Sequence, residues 1–201
     1  MEQFILFAEP WWVNLAILIP LISYFIWRRN GLFLTYKQLI IVGLFAVGFG
    51  FVEAAVVVYL RAAIGLLPGY GGTLSDVARL SSGVYQQVQI LGELPRSLLI
   101  VELIREAATM IMLASVAFIV GRGRGERWAM FLWAFAIWDI VYYIGLWATV
   151  RWPSSFTTPD VLFLIPVPWL SQVWFPITVS ALTILAVISA RKPSRDVLST
   201  S

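Results

Sequence analysis

The chain has 201 residues, of which 60% are apolar and only 12% charged, with a formal net charge of +3. A soluble fold of this length could not hide so much apolar surface, because too much of it would face water; the composition calls for lipid as solvent. With no cysteine and no histidine, the chain has no disulfide, no thiolate or Ser–His nucleophile, no His-ligated haem and no His-containing zinc site. The two lysines, Lys37 and Lys192, flank apolar segments, so no mid-membrane Schiff base is available.

Crossing a bilayer takes about 20 apolar residues at 1.5 Å each. In chain order the expected spans are residues 11–27, 38–60, 97–120, 128–150 and 171–190. Pro20 is an expected kink in the first, and Asn14 an interfacial hydrogen-bonder near its start. No basic stretch precedes this span and no small-residue cleavage site follows it, so an uncleaved span is expected rather than a signal peptide. Residues 61–96 form a long outer loop. Within it Thr73 and Asp76 suggest a capping box, and Leu74, Val77, Leu80, Val84, Val88 and Leu91 recur at helical spacing. That pattern predicts an amphipathic interfacial helix.

Thr158-Pro159-Asp160 reads as a helix start, followed by an apolar run too short to cross before Pro166 and Pro168. The expectation is a short interfacial helix at 159–166, then a turn into the fifth span. Residues 191–201 read as a polar cytoplasmic tail.

Basic residues orient the spans. Arg28, Arg29, Lys37, Arg122, Arg124, Arg127, Arg191, Lys192 and Arg195 fall on one side, against Arg61, Arg79, Arg96 and Arg151 on the other. The positive-inside rule then places the N-terminus outside and the C-terminus in the cytoplasm. The predicted fold is an all-α integral membrane protein: one transmembrane domain over residues 1–190, five spans, multi-pass in a bacterial-type cytoplasmic (inner) membrane.

Ionisable groups stand inside three of these spans. Glu53 lies in the second, Glu102, Arg105 and Glu106 in the third, and Asp139 in the fourth. Each costs about 2.5–3.5 kcal/mol or more at the bilayer centre, so each should face the bundle interior or water. Counted from the outer span ends, Glu53, Glu106 and Asp139 lie about 12, 15 and 18 Å deep. Glu102, Arg105 and Glu106 share one helix face with Thr109, and Asp139, Tyr142 and Tyr143 repeat that spacing. Ala46, Gly50 and Ala54 form a small-residue ladder that lets another helix approach beside Glu53. Together they predict a polar seam between spans two, three and four, in the outer half of the membrane.

Four carboxylates sharing one guanidinium would leave uncompensated charge in low dielectric. Either some carboxyls are protonated or a cation neutralises them. The candidate proton or cation site is therefore Glu53, Glu102, Arg105, Glu106, Asp139, Tyr142 and Tyr143. It suits coupled binding or transport of a small solute; the rival reading is structural, with Arg105 an intrahelical pair between Glu102 and Glu106 and Asp139 accepting a tyrosine or tryptophan hydrogen bond that holds helices together. A non-catalytic subunit of a larger membrane complex is the alternative, and an enzyme acting on a lipid headgroup or quinone is a weaker one, with no catalytic residue assigned. Aspartyl intramembrane proteases need two membrane aspartates, and only Asp139 qualifies. No cofactor and no dedicated metal ligands are expected. The expected partners are the lipid bilayer and other membrane subunits or further copies of the chain, not nucleic acid.

Overall fold

The computed structural model describes residues 6–63 and 96–192. A 3-10 helix over Trp11–Ile17 runs into α1, Leu18–Asn30, and a two-residue strand β1, Leu32–Phe33, leads to α2, Tyr36–Ala63. The long helices α3, Arg96–Val120, and α4, Arg124–Val150, follow. Strands β2, Pro159–Phe163, and β3, Trp169–Gln172, precede α5, Trp174–Ala190, and strand β4, Arg191–Lys192. The chain is thus mostly helical, and among the described residues four helical segments are long and apolar enough to cross a membrane: Trp11–Asn30, Tyr36–Leu60, Leu99–Val120 and Arg124–Val150. The fifth expected span is shorter than predicted. Its helix begins at Trp174 and has 17 residues, about 25 Å of rise, because Ser171 and Gln172 belong to β3. The amphipathic helix expected within 61–96, with its Thr73–Asp76 capping box, lies outside the described residues, as does most of the tail.

The short helix expected at 159–166 is instead a strand. Pro159–Phe163 pairs antiparallel with Trp169–Gln172, with a register shift between Val161 and Phe163. Pro166 and Pro168 remove the N–H groups that a helix would need and leave the chain a tight return between the strands. The hairpin gains a further backbone pairing where Glu9 and Leu170 exchange hydrogen bonds of 2.8 and 2.7 Å. Trp12 meets Trp169 edge-on beside that pairing, 5.0 Å between centroids. Asn14 staples the preceding turn, accepting from Ala8 N–H at 2.8 Å and donating to the carbonyls of Ala8 and Trp11. Pro20 falls in the first turn of α1, just after the change from 3-10 to α geometry, where a missing N–H costs least.

Helix α4 is the most enclosed of the four long helices and packs on α2, α3 and α5. The small-residue ladder of α2 makes its closest approach possible. Ala46 and Ala54 are fully buried, and a Cβ on Gly50 would stand 2.7 Å from the carbonyl oxygen of Trp138. From the other side, a Cβ on Gly145 would meet that of Ala54 at 2.9 Å. The opposite face of α2 carries Ile40, Ile41, Leu44 and Val52, all at least half exposed. That surface is apolar and unpartnered, as lipid contact requires.

One end of the bundle is tied by side chains across helices. Gln38 Nε2 donates to the Val120 carbonyl at 3.0 Å, and Trp128 Nε1 to Ser23 Oγ at 3.0 Å. Strand β1 pairs in parallel with β4. The C-terminal ends of α1, α3 and α5 therefore meet the N-terminal ends of α2 and α4.

Candidate functional site

Helix α3 shows why its charges are tolerated. Its buried positions are Glu102, Glu106, Thr109, Leu113 and Ala117, one face of a 3.6-residue helix. Its exposed positions include Ile100, Val101, Ile104, Ile111, Phe118 and Ile119. For the first two turns of this stripe the helix is polar inside and apolar outside, as expected where the surrounding solvent is hydrocarbon.

Arg105 is the centre of the first group. Its guanidinium forms ion pairs with Glu53 of α2 and with Glu102 one turn earlier, and its Nε donates to Glu102 Oε1 at 2.9 Å. Thr109 Oγ1 donates to the other Glu53 oxygen at 3.1 Å. Glu53 and Glu102 are both buried, 6% and 8% exposed, and the Arg105 guanidinium contacts both. Tyr142 of α4 and Glu106 lie within electrostatic reach of that same guanidinium.

Glu106 turns to the hairpin. The Leu164 N–H donates to both of its carboxyl oxygens, at 2.9 and 3.1 Å. This backbone donor stands just beyond the register shift of β2, where the ladder with β3 has ended. A buried N–H left without an acceptor is costly, and the carboxyl of Glu106 supplies one.

Tyr143 anchors the second group. Its hydroxyl donates to Asp160 Oδ2 at 2.8 Å, and Asp160 Oδ1 accepts from the Val161 N–H at 2.9 Å. Asp139, one turn before Tyr143, accepts from Ser180 Oγ of α5 at 2.8 Å. Asp139, Asp160 and Tyr142 all lie within electrostatic reach of Tyr143, and the Tyr142 and Tyr143 rings meet at 5.1 Å between centroids. Tyr142 thus stands between the Arg105 group and the Asp139–Asp160 group.

The seven residues singled out from sequence are therefore brought to one region but not to one point. Glu53, Glu102 and Arg105 touch directly, whereas Glu106, Asp139 and Tyr143 each reach outward to the hairpin or α5. Sequence reasoning misses Asp160 and Ser180 as members of the network. It puts Asp160 in an interfacial helix, although an acid at the head of an apolar run, directly after Pro159, is a signal in itself. Ser180 is a single hydroxyl in a uniformly apolar helix, and nothing marks it.

Removing the Tyr143 hydroxyl is expected to leave the buried Asp160 short of a donor. Tyr143→Phe should lower unfolding stability in detergent by about 1.5–3 kcal/mol, the range for a hydrogen bond to a charged group. A change within about 0.5 kcal/mol, on the order of an exposed substitution, would show that Asp160 is satisfied elsewhere.

The molecule defined by these features is a largely helical membrane protein with an internal network of charged and hydroxyl side chains. The sequence matches no protein-family model, and comparison with curated proteins and with solved structures returns no match.

Proposed function

We propose that the chain crosses a bacterial-type cytoplasmic membrane five times, N-terminus outside, and that its internal carboxyls carry a proton or cation coupled to binding or transport of a small solute. What supports five crossings is the alternation of helix ends: α1, α3 and α5 finish where α2 and α4 begin. The 17-residue α5 then crosses together with the hairpin that precedes it, which extends the expected interfacial segment into part of the wall.

Buried carboxyls met by neutral donors carry the functional reading. Glu53, Glu102, Glu106, Asp139 and Asp160 are all less than 9% exposed, and among the described residues the Arg105 guanidinium pairs with Glu53 and Glu102. Glu106 and Asp139 are met by neutral donors, the Leu164 N–H and the Ser180 hydroxyl, and a carboxyl so held in low dielectric favours a proton, or a nearby cation, in its resting state. The proton is the favoured occupant. Glu106, Asp139 and Asp160 are held by donors on different elements, and among the described residues no three acidic groups gather closely enough to bind a metal. Protonating Glu106 would weaken its hold on the Leu164 N–H, which links proton uptake to movement of the hairpin.

The test is proton flux into liposomes under an imposed pH gradient, with potassium and valinomycin clamping the voltage. Wild-type protein should dissipate the gradient. Glu106→Gln, which keeps an oxygen for Leu164 N–H, should abolish the flux, and Asp139→Asn should reduce it. Equal flux in wild type and Glu106→Gln would remove Glu106 from the path. No flux from the wild-type chain, together with a stoichiometric partner retained in mild detergent, would establish the subunit reading instead.

A further inference from the structure

The junction of α1, α2 and α5 is independent of the carboxyl network and has its own chemistry. Leu32 and Phe33 pair with Arg191 and Lys192. Arg191 Nη1 donates to the Leu34 carbonyl at 3.0 Å, and its guanidinium lies 3.6 Å from the centroid of the Tyr36 ring. A Cβ placed on Gly31, whose φ of +81° ends α1, would stand 3.8 Å from Lys192 Cδ. The lysine stem therefore runs beside the residues that directly follow Arg28 and Arg29, while Lys37 follows Tyr36 at the start of α2.

Five cations thus gather where three helix ends meet. Arg28 is engaged by the Tyr24 hydroxyl at 2.8 Å, and Arg191 by Leu34 and Tyr36. Arg29, Lys37 and Lys192 are exposed, and the ion pairs found among the described residues lie around Arg105 instead. Immediately along α1 and α2 from these cations, the surface turns apolar. Ile22, Phe25 and Ile26 are 55%, 68% and 51% exposed, and Ile40, Ile41 and Leu44 are 60%, 51% and 66% exposed.

We infer that this junction binds an anionic phospholipid, with Arg29, Lys37 and Lys192 on the phosphodiester oxygens and the acyl chains lying along the exposed faces of α1 and α2. Charge complementarity selects a negative headgroup, since concentrated cations beside a membrane attract anionic lipid strongly. The adjoining aliphatic and aromatic surface selects a lipid over a soluble anion, which would leave that surface unused. Arg191 acts differently: by stacking on Tyr36 and holding Leu34 it ties the end of α5, which carries Lys192, to the start of α2, which carries Lys37.

The experiment titrates phosphatidylglycerol into full-length protein held in phosphatidylcholine nanodiscs or micelles. Thermal midpoint and native mass spectrometry of retained lipid are read together. Wild type should bind phosphatidylglycerol saturably and gain thermal stability. The triple variant Arg29→Gln, Lys37→Gln, Lys192→Gln leaves Arg191 in place and should need on the order of 100-fold more phosphatidylglycerol for half-saturation. Its midpoint in phosphatidylcholine alone should match wild type. If that midpoint falls, the single variants take over, each expected to raise the half-saturating concentration about fivefold. Undiminished phosphatidylglycerol retention in these variants would overturn the inference. So would inorganic phosphate alone reproducing the stabilisation, which would make the junction a soluble-anion site.

Discussion

Replacing Arg105 with Gln is expected to cost about 3–5 kcal/mol of unfolding stability in detergent, the range for breaking a buried ion pair by removing one partner. The physical reason is that Glu53 and Glu102 share this guanidinium and are both buried. Without it, two carboxylates face each other's field, with the Thr109 hydroxyl as the donor to Glu53 among the described residues. Glu53→Gln alone should cost less, because Arg105 keeps Glu102. The double variant Arg105→Gln, Glu53→Gln should recover part of the loss, since the charge that was stranded is gone. Recovery in this double-mutant cycle distinguishes a stranded charge from lost packing by the arginine stem. A loss below about 1 kcal/mol for Arg105→Gln would instead equate the cluster with a solvent-exposed ion pair.

The second large effect is steric. Gly50→Leu should destabilise the chain by about 3 kcal/mol, at the upper end of the usual range for overpacking. Even the first added carbon would stand 2.7 Å from the Trp138 carbonyl and 3.1 Å from Val141 Cβ. Backbone on one side and a branched side chain on the other leave little room to yield, so α2 and α4 must separate. Gly48→Leu is the matched control on the same helix. Nothing lies within 4 Å of a Cβ there, and the expected change is within about 0.5 kcal/mol. Equal losses at the two positions would assign the effect to helix propensity or lipid contact rather than to the α2–α4 approach. Separating α2 from α4 would also move Glu53 relative to Tyr142, so the Gly50 variant should impair any proton flux that Gly48→Leu leaves intact.

The carboxyl network has a common logic that explains why so many acids are retained. Four of the five join different pairs of elements: Glu53 ties α2 to α3, Glu106 ties α3 to the hairpin, Asp160 ties the hairpin to α4, and Asp139 ties α4 to α5, while Glu102 holds Arg105 within α3. Hydrophobic burial gives little drive for helix association when the outer solvent is itself apolar, so polar contacts and close packing hold such bundles together. This tying role and the proposed proton role are compatible. A carboxyl that accepts from a neutral donor when ionised loses acceptor strength when protonated, so the same atoms that hold the elements can release them.

Sequence alone was enough to determine the solvent, the positions of the long helices and the residues that would be hidden. Composition excluded a soluble fold, span length marked five apolar segments of which four are long and apolar enough to cross a membrane, and the cost of a charge in hydrocarbon turned Glu53, Glu102, Glu106 and Asp139 inward. These follow from local chemistry, because a helix satisfies its own backbone and only its side chains need a neighbour. The hairpin was decided elsewhere. Residues 159–172 have no strong period, and whether Val161–Phe163 coils or pairs depends on Trp169–Gln172 returning alongside and on Glu106 accepting from Leu164, 58 positions away. The partners of the buried acids were likewise settled only by tertiary structure. Spacing along one helix says which groups share a face, but not which hydroxyl or amide of another element arrives there; Ser180 on Asp139 and Tyr143 on Asp160 exist because helix packing and a backbone pairing bring distant segments within hydrogen-bond distance, 2.8 Å in each case.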